Sequence, residues 1–249
     1  SLWSLDHKLH RSYSSKVLFT VAASSTVQDQ ARPSCKILWV DLENQSVHCE
    51  EIVPPDLLSR HGTGLLAQLL ADKHSMLSSG KSQKPFLAMA PGLFSGNKCY
   101  MVFNKVDSRS SPLLISQATI KGKFGHLLIQ AKFDGLMIVG KASKPSYVVL
   151  NSNDTSIHSG EGLVDMSCAD ICSFFKGSHT KYSSVIAAEA STECELLSGV
   201  LTDDGYATCR GSVGRAFASL NLLALCLEEF NDGGNNMQSQ AKEEEERIA

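Results

Sequence analysis

A chain of 249 residues, 43% hydrophobic and 20% charged, carries enough apolar material for a substantial core, in one large domain or two small ones. Its formal net charge of -3 offers no basic face for a nucleic acid. The longest candidate stretch, residues 220–227, falls well short of the roughly 18 residues of a membrane span.

Residues 1–34 differ in character from the rest. They are Ser-rich and set Lys8, Arg11, Lys16 and Arg32 against Asp6 and Asp29. They read either as an N-terminal arm around KVLFTVAA or as a targeting segment of mitochondrial type. The expected location is therefore intracellular and soluble, in the cytoplasm or the mitochondrial matrix.

KILWVDL then alternates like a half-buried strand, ENQS turns the chain, and VHCEEIV returns as a second strand. Pro54 and Pro55 are expected to open a helix with Leu57, Leu58, Leu65, Leu66, Leu69 and Leu70 at helical spacing, interrupted by Gly62 and Gly64. PFLAMAPG and KCYMVFNKV read as strands. ATIKGKFG reads as a Gly-punctuated loop entering a short helix and then the strand LMIVG.

The order then restarts. SYVVLNS is a strand, NDTS a turn and IHSGEGLV a return strand. VDMSCADICSFFKG is a helix with Val164, Cys168, Ile171, Cys172 and Phe175 on one face. SSVIAAEAS and ELLSGVLT form a second strand pair, and RGSVGRAFASLNLLALCL again runs loop, helix, strand. The last residues, 231–249, are a polar tail ending in a charged run.

GKFGHLLIQAKFDGLMI and GSVGRAFASLNLLAL share one frame: Gly-x-x-Gly, an apolar helix, an apolar strand. The expected fold is α+β, a duplicated unit of mostly antiparallel strands with short helices, in two halves related by a pseudo-two-fold axis. Repeat 1 covers about 36–144 and repeat 2 about 145–228. Two equivalent glycine loops at helix N-termini would face a common groove, where free N–H groups favour anionic ligands; packing turns are the alternative reading.

The eight cysteines, Cys35, Cys49, Cys99, Cys168, Cys172, Cys194, Cys209 and Cys226, are scattered without a CxxC pair. They read as reduced, mostly core thiols, and no iron–sulfur cluster is expected. Asp203 and Asp204 read as turn-capping carboxylates. The histidines lack metal-ligand spacing, and neither a G-x-S-x-G elbow nor a phosphate-binding P-loop sequence is present.

From Lys36 to Leu227 the chain resembles the N-terminal, pterin-binding domain of the aldehyde ferredoxin oxidoreductases. KILWVDLENQSV is similar to the family's opening hairpin, APGLFSG to its A-x-G-P-L-x-G turn and SSPLL to its S-P-L-x-G. GKFGHLLIQAKFDGLMIVGKASKPSYVVL is similar to G-x-F-G-x-x-L-K-x-A-G-Y-D-G-L-x-I-x-G-K-A-x-x-P-V-Y-L, and TDDGYATCRGSVGRAFASLNLLAL to N-D-G-x-R-x-A-G-R-G-G-x-G-A-V-x-G-S-K-N-L-K-A-I. The resemblance implies a domain of residues 35–230 made of two six-stranded halves, each holding one pterin of a tungsten or molybdenum bis-pterin cofactor. A magnesium ion would bridge the phosphates, and further domains would oxidise aldehydes with ferredoxin as acceptor.

Carried over by position, the cofactor-facing residues implied by the resemblance are Arg109, Thr119, Lys121, Gly122, Gly125, Ala207, Arg210, Gly211 and Gly214. Thr119 and Ala207 would offer backbone carbonyls to the magnesium. The chain departs from the pattern at Thr119 and Lys121, which stand for Asn and Gly, and at Asn104 and Tyr206, which stand where the family has Arg. Lys121 and Lys123 would either touch phosphate or be solvated charges. Loss of two arginines removes bidentate phosphate contacts.

Two functions follow as expectations. One is a non-catalytic structural or assembly subunit of a multi-subunit redox complex, with protein subunits as partners and either homo- or hetero-oligomeric. The other is a pterin-binding subunit of an aldehyde oxidoreductase whose iron–sulfur and substrate domains lie on another chain.

Overall fold

A computed structural model describes residues 34–55, 60–77, 84–92, 97–104, 115–151, 154–177, 182–188 and 199–228. Strand β1 (Cys35–Asp41) pairs antiparallel with β2 (Ser46–Ile52). The turn between them is closed by Asp41, whose carboxylate accepts the backbone N–H groups of Glu43 and Asn44 at 3.0 Å each and the Asn44 amide at 2.8 Å. Partial burial works against the Asp41 charge, but the hydrogen bonds from Asn44 and Glu43 win, and its carboxyl lies below the usual carboxylate range.

Helix α1 (Gly62–Leu77) follows, then β3 (Phe86–Pro91), β4 (Lys98–Asn104), β5 (Ile115–Lys121), α2 (Phe124–Gln130) and β6 (Gly135–Val139). The second run is β7 (Ser146–Leu150), β8 (Thr155–Ser159), α3 (Cys168–Gly177), β9 (Tyr182–Ala188), β10 (Val200–Thr202), β11 (Ala207–Thr208), α4 (Val213–Leu220) and β12 (Leu222–Glu228). Short 3-10 turns lie at Glu161–Leu163 and Arg210–Ser212.

The two six-stranded sheets run β2-β1-β6-β3-β4-β5 and β11-β10-β9-β12-β7-β8. Reversing the second and matching β7 to β1, β8 to β2 and β12 to β6 gives the same order. Among the described residues the one parallel pair of each sheet falls at the same place, β1 with β6 and β7 with β12. The halves even share a side-chain detail. Trp39 on β1 stacks on His48 across the hairpin, ring centroids 6.0 Å apart, and Tyr147 on β7 stacks on His158 at 5.1 Å. The fold is α+β with two similar halves.

Five layers result. Ile37, Trp39, Phe86 and Met137 face outward from the first sheet and pack under Leu65, Leu66 and Leu69 of α1. Val149, Val185, Ala224 and Cys226 do the same under Ile171, Cys172 and Phe175 of α3. The inner faces share one core in which Leu38, Val40, Leu87 and Ile138 meet Val148, Ile186 and Leu225, with Phe124 and Leu128 of α2 and Phe217 and Leu220 of α4 between the sheets. Covering both faces explains why β1 is nearly all buried rather than half-buried as its alternation suggests.

Four local expectations change. The first helix starts at Gly62, not at the prolines; Gly62 has φ +52° and opens it, and the segment holding Leu57 and Leu58 lies outside the described residues. ATIK, expected in a loop, is the end of edge strand β5, its residues held in register by β4. The return strand of the second hairpin stops at Ser159 and tightens into a 3-10 turn. The helix expected from Val164 begins at Cys168, where Ser167 caps it: its Oγ accepts the Asp170 N–H at 3.2 Å and donates to the Asp170 carboxylate at 2.7 Å. Residues 1–33 and 229–249, with the expected arm and tail, lie outside the described residues apart from Ser34.

Candidate functional site

At the end of β5, Lys121, Gly122 and Lys123 turn the chain into α2. Gly122 has φ +118°, a conformation open to glycine alone in practice, and its N–H donates to Asn97 O at 3.1 Å. A Cβ there would sit 2.9 Å from Asp204 Oδ2 and 3.5 Å from the Tyr206 ring, so the glycine is required by the other half of the molecule as well as by its own turn.

The β10–β11 turn brings those groups in. It closes on itself without either aspartate: Gly205 N–H donates to Thr202 O at 2.9 Å, and Tyr206 N–H donates to Thr202 Oγ1 at 3.1 Å. The two carboxylates, expected to cap this turn, instead reach outward. Asp204 Oδ2 accepts the backbone N–H of Lys123 at 3.0 Å, across the boundary between the halves. The Asp203 side chain is fully buried, and its Oδ1 accepts from Ser184 Oγ and Val185 N–H at 3.0 Å each. Its Oδ2 has no hydrogen bond of good geometry, but Lys176 Nζ lies 3.2 Å away and Lys123 Nζ 3.5 Å. The contact distances describe this oxygen better than the bare absence of a hydrogen bond, since two ammonium groups offset its buried charge.

Lys123 thus bridges Asp203 and Asp204, the latter at 3.6 Å, and ties the first half to the second. Beside this bridge lies a cleft of about 530 Å³ lined by Asn97, Lys98, Lys121, Gly122, Lys123, Asp204 and Tyr206. An anionic ligand at the Lys123 N–H would have to displace the Asp204 carboxylate or sit against it. The geometry around this loop does not fit a phosphate as it stands.

The second glycine turn is placed differently. Gly211 has φ +68°, and a Cβ there would approach Gln117 O to 3.1 Å, the Phe103 ring to 3.2 Å and Ser116 Cβ to 3.2 Å. It packs on the start of β5, whereas Gly122 follows its end. Five to six residues of strand separate the two contacts, about 17 Å. Gly122 lines the cleft and Gly211 packs at the other end of β5.

The remaining candidates are placed as follows. Thr119 lies in β5 opposite Tyr100 and Ala207 in β11 opposite Leu201, both strand residues, with β11 packed beside β5. Lys121 ends β5, exposed and in register with Lys98. Arg210 is exposed at the head of the 3-10 turn, and Gly125 and Gly214 are buried in the first turns of α2 and α4. Arg109 lies outside the described residues. Asn104, at a position of a family arginine, is 2% exposed; its Oδ1 accepts Phe86 N–H and its Nδ2 donates to Lys84 O, each at 2.9 Å, so it serves the sheet. Tyr206, at the other, is exposed over the cleft. Asp203, Asp204 and Lys98 were not among the residues singled out as binding. Their partners lie 18 to 81 positions away in the chain, beyond the reach of local pattern.

Among the described residues the thiols of Cys35, Cys99, Cys172 and Cys226 are buried. Desolvation pushes Cys99 up to about 12 and Cys35 and Cys172 to about 11, so these are poor thiolates and poor nucleophiles. No group of three or more His, Cys, Asp or Glu side chains among the described residues is arranged to hold a metal ion, and no described helix is long and apolar enough to cross a membrane.

Comparison with known proteins adds two findings. The family model described as aldehyde ferredoxin oxidoreductase, N-terminal domain, matches residues 37–229. Among solved structures, a chain of the active site complex BamBC of benzoyl coenzyme A reductase, in complex with 1,5-dienoyl-CoA, is similar with a TM-score of 0.65 and 20% sequence identity. The match covers 78% of this chain but only 30% of that one. No curated protein sequence matches.

Proposed function

The chain belongs to the aldehyde ferredoxin oxidoreductase N-terminal domain family, and from that premise we propose that it is a non-catalytic structural or assembly subunit of a multi-subunit redox complex. The observation that carries this reading is Asp204. Where the resemblance puts a phosphate at the first glycine loop, the chain's own carboxylate takes the Lys123 N–H and presses on Gly122. A protein ion pair joins the halves at that point.

Two further observations support it. Asn104 is consumed by backbone hydrogen bonds, and Tyr206 offers no charge-assisted contact to phosphate. A chain of similar fold, though only 20% identical, works inside the active site complex of a reductase, which suits a role among other subunits.

Native purification of the full chain tests the proposal. Metal analysis is expected to find neither tungsten nor molybdenum at stoichiometric level, pterin fluorescence is expected to be absent, and a stable set of partner subunits is expected to co-purify. Stoichiometric tungsten or molybdenum would overturn it.

A second reading, the pterin-binding subunit, is favoured by the exposed cations Lys98, Lys121 and Arg210 and by the kept GKFG and RGSVG turns. Arg210→Ala separates the two. Under the second reading the variant loses bound pterin, and with it the stability the bound cofactor confers; under the first, no cofactor changes at all.

A further inference from the structure

The edges of the two sheets are not alike. β5 and β11 pack beside each other across the halves, and β8 is five residues long and leads into a 3-10 turn. β2 runs seven residues in unbroken register with β1, and among the described residues no strand pairs with its other side. An open edge of this length is a template for a further strand.

The register shows which backbone groups that edge presents. Lys36 N–H donates to Asp134 Oδ2 and Lys36 O accepts the Asp134 N–H, both at 2.8 Å. The Lys36 backbone therefore faces β6 and turns away from β2, as does Leu42, whose N–H donates to Val139 O at 2.9 Å. Facing alternates along an antiparallel pair. Glu51, Cys49 and Val47, opposite Lys36, Leu38 and Val40, thus keep their N–H and C=O groups for the outer side. His48 and Glu50 bond inward and project on the sheet face of α1, where His48 stacks on Trp39 and Lys73 Nζ lies 2.6 Å from Glu50.

We propose that the edge of β2 is a self-association surface, to which a second copy of this chain adds its own β2, antiparallel and centred on Cys49. A two-fold interface must be self-complementary, and this strand is. Centred on Cys49, all of Ser46–Ile52 overlaps, and the outward groups pair Cys49 with Cys49 and Val47 with Glu51 on either side. Each such pair exchanges two N–H···O bonds, about six in all. His48 of each copy then lies opposite Glu50 of the other, an imidazole against a carboxylate. Moving the centre to Glu50 or to His48 sets that side chain against its own copy, which is unfavourable for like charges. The exposed Cys49 thiol marks the axis. This inference goes beyond the subunit reading and stands apart from it, because its readout is self-association and not cofactor content.

The test uses the full chain. Analytical ultracentrifugation at rising concentration is expected to show a monomer–dimer equilibrium. Glu51→Pro removes an N–H that points away from β1, so its circular dichroism is expected to stay unchanged. It deletes one interchain bond per copy and is expected to raise the dimer Kd about thirtyfold. His48→Glu is expected to weaken the dimer by setting carboxylate against carboxylate, and adding Glu50→His in the same chain to restore it. That swap keeps the test decisive even where the proline disturbs folding. A short bis-methanethiosulfonate is expected to join Cys49 to Cys49 between copies carrying different isotope labels, read by mass spectrometry. A chain that stays monomeric overturns the proposal. So does a dimer indifferent to both Glu51→Pro and His48→Glu, or one in which Cys49 never links to Cys49.

Discussion

The two glycine turns have the same frame in sequence and opposite surroundings in the fold. Gly122 is met by a carboxylate and a ring on the rim of a solvent-filled cleft. Gly211 is met by a carbonyl oxygen, a phenyl ring and a β-carbon in a closed contact. Both positions forbid a side chain, but for different reasons. The first is a polar junction that could be rearranged, and the second is a packing contact that could not. A glycine pattern that suggests two equivalent phosphate loops can therefore describe one adaptable turn and one rigid one.

The comparison breaks first at Gly211. Gly211→Ala combines a left-handed backbone with overpacking against β4 and β5 and is expected to cost about 3 kcal/mol. In a domain of this size that lowers Tm on the order of 10 °C by calorimetry. Asp203→Ala is expected to come next, at about 2 kcal/mol in denaturant unfolding. It strips the Ser184 hydroxyl and Val185 N–H of their buried acceptor. The half-exposed lysines add little, because solvent screens them.

Gly122→Ala sharpens the contrast. Its cost is expected at about 2 kcal/mol, from the strain of φ +118° together with the carboxylate contact, and Asp204→Ala in the same chain should recover only the share due to the contact. A double-mutant cycle reads the coupling. No single side-chain deletion rescues Gly211→Ala in the same way, since a backbone oxygen blocks that site. Strict additivity at Gly122 and Asp204 would count against the polar junction.

The smallest effect concerns Asp41. Its folded carboxyl titrates below the ordinary value of 3.8, so its stabilisation is complete above that pH and is lost as the pH falls through the lower, folded value. Asp41→Asn keeps a turn-closing oxygen but removes the titration. Urea midpoints measured from pH 5 down to pH 2 should converge for the two chains; a constant gap would remove Asp41 from the acid response.

Much of the fold was legible in the chain because its signals are local. The opening hairpin, the loop–helix–strand units and the restart at Ser146 follow from periodicity and punctuation. The edge strand β5 was hidden because Gly122 and Lys123 directly after it read as loop, and its register is supplied by β4. The site was less legible. Gly122 and Lys121 could be named from the resemblance, but the role of Asp204 depends on a partner in the other half, and the burial of Asn104 depends on a strand pairing. Pattern gives the elements, and only the packed halves give their charges a meaning.

The helices between the sheets carry one more implication. Because α2 and α4 each touch both sheets, and Ala142 N–H donates to Leu220 O at 3.0 Å, neither half owns the layer that covers its inner face. A half made alone would present Leu38, Val40, Leu87 and Ile138 to water. The fused repeat thus behaves as an obligate pair, and a cut in the connecting stretch before β7 should leave two pieces that survive only by finding each other.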